Sequence, residues 1–335
     1  MRGVHRSIWC ASFVIASAMA FDPAFAAAEC GPLSLLTSLD IVTVSGGRPG
    51  VSALIGDKPV TLLVDTGGAF SMVSRRTVRE LKLTVGQARV EIRNIAGQRS
   101  HEQVRLPSIT LGRLRQEGAY FMVDPQPERP DDTAPGAFDG VLAPDFLMNV
   151  DADFDFGAKK LNLVSQNHCD GRVVYWSSPT VAIAPFRIDR NGHISFPMKL
   201  DDQRVNAILD TGAYNTALNL DVARRTFKVD PNARDVEKIG ELNGGFTANI
   251  YRKRFKTLSI EGVTISNPSI DLLPDLMSGP ASAPTATGSL IRDSDLNLPD
   301  VILGMSSLSS LHVYVAYKER KLYISAAKPQ AQSVQ

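Results

Sequence analysis

Only three cysteines, two tryptophans and seven tyrosines occur among 335 residues, and neither sign of charge dominates, with 36 basic against 35 acidic residues. The charge balance removes any electrostatic reason to expect nucleic acid or an anionic membrane surface as partner. So few large rings also argue against a site that stacks sugars. No apolar run reaches the roughly 20 residues that a bilayer crossing needs. The run from Ile8 to Phe21 follows the basic Arg2 and Arg6 and precedes an Ala24-Phe25-Ala26 pattern. That order describes a secretory signal peptide over residues 1–26, and it predicts an exported protein, periplasmic or secreted, with no stable membrane insertion after cleavage. Losing Arg2, Arg6 and Asp22 leaves the two charge signs equal.

Cys10 leaves with that segment. Cys30 and Cys169 remain, and two cysteines in an oxidising compartment read as one disulfide, closing a loop of about 140 residues. Two unrelated buried thiols are the competing reading. Other signatures are missing too. There is no Gly-x-Ser-x-Gly, so a serine hydrolase of that type has no support. His101, His168, His193 and His312 are scattered without metal spacing, and His101-Glu102 lacks the second histidine of a metallopeptidase helix. Neither metal nor cofactor is expected.

What the chain does have is a long internal repeat. The segment from Gly56 to Gly67, ending Leu62-Leu63-Val64-Asp65-Thr66-Gly67, lines up with Asp201 to Gly212, ending Ala207-Ile208-Leu209-Asp210-Thr211-Gly212. The offset is 145 residues (65 to 210). At that offset the turn signal Gly46-Gly47 falls on Asn191-Gly192. Ser74 falls on Asn219, each an N-cap before a helix-like stretch, Arg75 to Leu81 and Leu220 to Phe227. A second block, Asp139-Gly-Val-Leu-Ala143, repeats as Asp300-Val-Ile-Leu-Gly304 at an offset of 161 (139 to 300). The second copy therefore carries 16 extra residues, placed by composition at Ser278 to Asp293, where Ser, Pro, Ala, Thr and Gly predict an exposed loop.

The two halves run from about residue 34 to 166 and from about 181 to 326. The expected organisation is a leader (1–26), a first lobe with Asp65 (27–172), a second with Asp210 (173–326) and a disordered tail (327–335). Short β-prone runs bounded by Gly, Pro, Asp or Asn recur in both halves, such as Val60 to Val64 and Val205 to Leu209. With one helix per half, the pattern predicts an all-β class whose lobes close like barrels to protect their strand edges. Asp139 and Asp300 recur before apolar runs and read as structural anchors.

Each half places Asp-Thr-Gly directly after an apolar strand. A carboxylate there is costly unless something satisfies it. Glycine would permit a tight turn that aims N–H groups at the acid, and threonine would lock the loop. Composition alone gives about one chain of this length in fifteen a single Asp-Thr-Gly, so one copy says little and two inside a repeat say much.

On these residues the chain resembles the aspartic peptidases, of both the two-lobed pepsin type and the dimeric retropepsin type. The text and length of each half are closer to a fused, single-chain relative of retropepsins. The resemblance rests on Asp65-Thr66-Gly67, Asp210-Thr211-Gly212 and the later elements Ile302-Leu303-Gly304 and Val141-Leu142-Ala143. It implies two homologous β-barrel lobes about a pseudo-twofold axis, with Asp65 and Asp210 as a catalytic pair. It further implies that Thr66 and Thr211 brace the loops across the interface, and that Gly67 and Gly212 donate backbone N–H groups. Two close carboxyls cannot both ionise, so they would share a proton and activate a water against a peptide carbonyl. The expected partner is a peptide or protein substrate, and the expected state a monomer with an internal pseudo-dimer. Hairpins at Ile92 to Glu102 and Leu242 to Ile250 are the candidate flaps. Because no long segment separates Ala27 from Leu35, activity is expected without removal of a large propeptide.

One departure bears on the alternatives. Ala143 stands where the family pattern has glycine, and an extra methyl there could displace the Asp65 loop. A two-lobed peptide-binding or regulatory protein that has lost turnover is thus one other reading. A carboxylate-pair hydrolase acting on glycans is another.

Overall fold

The computed structural model describes residues 30–93, 98–128, 133–243, 247–274 and 299–328. The expected signal peptide, the Ser278 to Asp293 insertion and most of the tail lie outside these residues, as do the two hairpin tips at 94–97 and 244–246.

Period-two alternation builds the strands. In Arg48–Ile55, Val51, Ala53 and Ile55 are buried while Ser52 and Leu54 face out. The chain then reverses through Gly56-Asp57 into Lys58–Val64, pairing Ile55 with Lys58. Gly56 takes φ +59, as a two-residue hairpin turn demands. The second half builds the same reversal from Asp201 and Asp202, both at positive φ. Aspartate tolerates that conformation when its side chain bonds locally, and here the Lys256 and Thr257 N–H groups donate to the Asp201 carboxylate at 2.7 and 2.9 Å.

The later apolar elements then thread into each lobe. Gly140–Leu142 lies parallel to Lys58–Val64, pairing Leu142 with Val64, and antiparallel to Met72–Val73. Val301–Leu303 repeats this against Gln203–Leu209 and Ala217–Asn219. Leu62, Val64, Leu142, Leu209 and Leu303 are at most 1% exposed, each stabilising its lobe by roughly 1.5–3 kcal/mol. Asp139 and Asp300 act as the anchors expected of them: the Thr61 N–H donates to the first at 2.7 Å and the Asn206 N–H to the second at 2.8 Å. The helices Arg75–Glu80 and Leu220–Phe227 begin at Ser74 and Asn219, whose side chains accept from the first-turn N–H groups.

The architecture is all-β with two matching lobes. Each lobe also carries a second, one-turn helix, Pro144–Leu147 and Met305–Leu308, where one helix per half was expected. Four residues are too few to express a helical period. The lobes also do not close separately. Leu35–Val44, Asp151–Asp155 and Lys160–Val164 of the first half join Ala182–Pro185, Leu311–Ala316 and Lys321–Ala326 of the second in one shared sheet, centred on the pairs Asp153↔Tyr314 and Asp155↔His312. The Cys30–Cys169 disulfide forms beside this sheet, five residues beyond the Leu35↔Val164 pair on each side.

That shared sheet buries charge. Asp151 and Asp153 are fully buried, and so are most of their partners. His168 Nε2 lies 2.7 Å from Asp151, which also accepts from the Tyr317 N–H and the Tyr314 hydroxyl. His312 Nε2 lies 2.6 Å from Asp153, which also accepts from Tyr175 and Asn162. Both histidines thus have core roles, and the Trp176 ring stacks on His312 at 4.1 Å. Removing one partner from such a network leaves a buried charge uncompensated.

Candidate active site

Each Asp-Thr-Gly begins where its strand ends. The Asp65 N–H donates to the Leu142 carbonyl at 2.9 Å, and the Asp210 N–H to Leu303 at 3.1 Å. The parallel element therefore fixes where each aspartate leaves its sheet. Both loops then meet at the lobe interface, 145 residues apart in sequence.

The threonines hold that interface reciprocally. The Thr66 hydroxyl donates to the Leu209 carbonyl at 2.8 Å and accepts from the Thr211 N–H at 3.0 Å. The Thr211 hydroxyl donates to Val64 at 2.7 Å and accepts from the Thr66 N–H at 3.1 Å. Both residues are at most 1% exposed, so none of these four bonds competes with water.

The carboxyls of Asp65 and Asp210 are hydrogen-bonded to each other. Gly67 and Gly68 both donate N–H groups to Asp65 Oδ1 at 2.9 Å, while the Ala213 N–H donates to Asp210 Oδ1 at 2.9 Å and Gly212 adds a backbone bond. The glycines have a reason other than the tight turn expected of them, since neither Gly67 nor Gly212 has positive φ. A Cβ on Gly67 would stand 2.2 Å from Asp210 Cγ, and one on Gly212 2.3 Å from Asp65 Cγ. Each glycine is bare so that the opposite carboxyl can lie against its backbone.

Burial drives both acids upward. Desolvation lifts Asp65 above the usual carboxylate range, opposed by its N–H bonds, by the hydrogen bond with Asp210 and by the charge of Arg48. Asp210 is pushed up to about 8, first by desolvation and then by the negative charge of Asp65. The shared hydrogen bond favours the charged form of Asp65 and the neutral form of Asp210. Such a pair holds one proton over a wide pH range.

Ala143 fits without displacing the Asp65 loop. It is fully buried, and a Cβ on Gly68 would come within 3.5 Å of the Ala143 methyl. In the second lobe the sizes are exchanged: Ala213 follows Asp-Thr-Gly, and a Cβ on Gly304 would stand 2.4 Å from the Asn215 carbonyl oxygen. The first lobe thus carries its methyl on Ala143, while in the second the Asn215 backbone closes the matching position at Gly304 and the methyl sits on Ala213.

Three residues that the motif did not single out also belong here. The Ala143 N–H donates to the Ser71 hydroxyl at 3.0 Å, and the Gly304 N–H to Thr216 at 3.1 Å. Ser71 is in turn held by Asp145, and Thr216 by Ser306 and Ser307. Extending the 145-residue offset by six positions past each aspartate would have found this pair. Arg48 is the third, and its match at that offset is the unlike His193. Both candidate flap hairpins form up to their tips, Val85–Arg93 with Arg99–Arg105 and Val236–Asn243 with Thr247–Arg254.

The aspartyl protease family matches the chain over residues 51–144 and 196–307. The first segment spans Asp65 to Ala143 and the second spans Asp210 to Gly304. No curated protein matches the chain.

Proposed function

The chain belongs to the aspartyl protease family, and on that premise we propose that it is an active endopeptidase whose catalytic pair is Asp65 and Asp210. One observation carries the reading: two buried carboxyls from different lobes, hydrogen-bonded to each other, with Asp210 pushed up to about 8. The ionised member takes a proton from water as it attacks the scissile carbonyl, and the protonated member donates to the carbonyl oxygen. The proton then passes to the leaving amine. Thr66 and Thr211 hold the two loops in register, and Gly67 and Gly212 let the carboxyls approach. Reaction needs one proton on the pair, so turnover falls as pH rises through about 8.

The substrate class is peptide or unfolded protein, taken in by a monomer whose two halves serve as the subunits of a dimer. An exported setting is supported by the Cys30–Cys169 disulfide. Among the described residues no helix is long and apolar enough to cross a membrane. The test is to incubate the protein with a denatured proteome across pH 3–9 and read new peptide termini by mass spectrometry. The expected result is cleavage by the wild type that Asp65→Asn and Asp210→Asn both abolish. Cleavage that survives either substitution, or none at any pH, would overturn the proposal.

A further inference from the structure

Two charges near the aspartates occur in the first lobe only: Asp145, whose counterpart at the 161-residue offset is Ser306 and whose carboxylate is taken up by Ser71 of its own lobe, and Arg48. Arg48 opens the strand Arg48–Ile55, and its counterpart at the 145-residue offset is His193. His193 is taken up within its own lobe, with Nδ1 at 2.9 Å from Asp189. Val44 stands where Asp189 would be in the first lobe. Among the described residues, no carboxylate forms an ion pair with Arg48.

Its guanidinium is nevertheless fixed. Nε donates to the Ser45 carbonyl at 2.7 Å, the group lies 5.2 Å over the Phe138 ring, and Nη1 donates to the Gly212 carbonyl at 3.4 Å. The turn before it docks on the other lobe, where a Cβ on Gly47 would stand 3.1 Å from the Tyr214 ring. Gly212 is also the residue whose backbone abuts the Asp65 carboxyl. A cation without a carboxylate of its own thus crosses from the first lobe to the second lobe's Asp-Thr-Gly loop.

We propose that Arg48 is a positioning residue for the carboxyl pair, fixing the negative charge on Asp65 and leaving the proton on Asp210. Arg48 feels the charge of both aspartates, Asp65 first, and its guanidinium reaches the pair through Gly212, whose backbone lies against the Asp65 carboxyl. Burial weakens the guanidinium's hold on its proton and both aspartates strengthen it, and an arginine stays charged throughout. Asp65 is then the base and Asp210 the acid. This assignment of roles rests on the peptidase reading, but the charge asymmetry does not.

The test therefore has two arms. In the first, aspartate carboxyl carbons are labelled with 13C and titrated by NMR, with Asp65 assigned from Asp65→Asn. An opposite charge beside a carboxyl is worth about one to three pH units, so Arg48→Gln should raise the Asp65 midpoint by about one unit or more. Arg48→Lys should stay within about 0.3 of the wild type. An unmoved midpoint in Arg48→Gln, or an equal shift in both variants, overturns the proposal. If Arg48→Gln does not fold, Arg48→Met decides: an Asp65 midpoint raised by about a unit supports the proposal and an unmoved one sinks it. In the second arm, kcat/KM at the acidic edge of the profile should fall about tenfold in Arg48→Gln, in kcat rather than KM, with most of it restored in Arg48→Lys. A wild type that never cleaves peptides would end the peptidase reading and leave the titration arm to judge Arg48.

Discussion

Replacing Asp210 with asparagine removes one charge from a site that cannot hold two, so the exchange should stabilise the protein where the charge hurts most. Asp210 is raised from the usual carboxylate value near 4 to about 8, by desolvation first and by Asp65 second. A folded-state value above the unfolded one means that the folded chain binds the extra proton between those two limits. Stability is therefore full at pH 4, declines as pH rises, and is lowest once pH has passed about 8. A rise of about four pH units at 1.36 kcal/mol each comes to roughly 5 kcal/mol, a large part of the 5–15 kcal/mol that holds a domain together. For about 300 folded residues the unfolding entropy is about 0.6 kcal/mol/K, so this corresponds to about 8 °C. Asparagine keeps the size and hydrogen-bonding ends of the protonated acid but never ionises. Melting temperatures of wild type and Asp210→Asn, followed by calorimetry from pH 4 to 9, should start close and diverge by about 8 °C, with the variant higher at pH 9. Curves that run parallel over the whole range would mean that the pair holds no proton above the ordinary carboxylate range.

Thr66→Val keeps the shape but strands the Leu209 carbonyl and the Thr211 N–H in a buried interface; denaturant unfolding should show a loss of about 2–5 kcal/mol, and Thr66→Ser should recover most of it. Gly304→Ala drives a methyl into the Asn215 carbonyl and should cost about 1–3 kcal/mol together with much of the turnover. Ala143→Gly should cost at most about 1 kcal/mol, as peptide kinetics and melting curves would show. For His168, burial alone would lower the imidazole, but the bond to Asp151 carries it above its ordinary value. Burial raises Asp151 too, so the pair holds its proton tightly. The stability that His168 adds is complete below its unfolded value near 6.5 and is lost as pH rises through the higher folded value. Melting curves at pH 6–9 should show that alkaline component in the wild type and not in His168→Gln.

What the sequence revealed was whatever the duplication had copied. Asp65 and Asp210, the caps Ser74 and Asn219 and the anchors Asp139 and Asp300 all sit at fixed offsets, because each does the same local job in its own lobe. Contacts between the lobes left no such trace. The alternation Asp151-Ala-Asp-Phe-Asp155 resembles a strand with one wet face, yet Asp151 and Asp153 are fully buried. Part of their cover comes from far along the chain, from His312 and Tyr314, and part from His168 and Tyr175 in the segment that joins the two halves. No period of two or 3.6 encodes a partner some 160 residues away. The purpose of Gly67 and Gly212 was hidden for the same reason: what forbids a side chain is the carboxyl of the other lobe.

A site made by two identical subunits must use each residue twice, on both sides of its axis. Fusion into one chain lifts that constraint, and the residues around the aspartates differ as if it had been lifted. One junction holds its methyl on Ala143 beside Gly68, the other on Ala213 beside Gly304. The Ser71 hydroxyl donates to the Asp145 carboxylate, whereas the Thr216 hydroxyl bonds that of Ser307 and the Thr216 N–H donates to Ser306. The first exchange is neutral, whereas the second replaces a carboxylate on the first side by hydroxyls on the other. Arg48 opposite His193 differs from both, because its charge crosses to the Asp-Thr-Gly loop of the second lobe while the Asp145 carboxylate stays on Ser71 of its own lobe. Hydrolysis by two carboxyls needs them to differ by a proton at the moment of attack. In a symmetric dimer that difference must arise by chance or be imposed by substrate; in the role proposed for Arg48, a fixed guanidinium would supply it before substrate arrives.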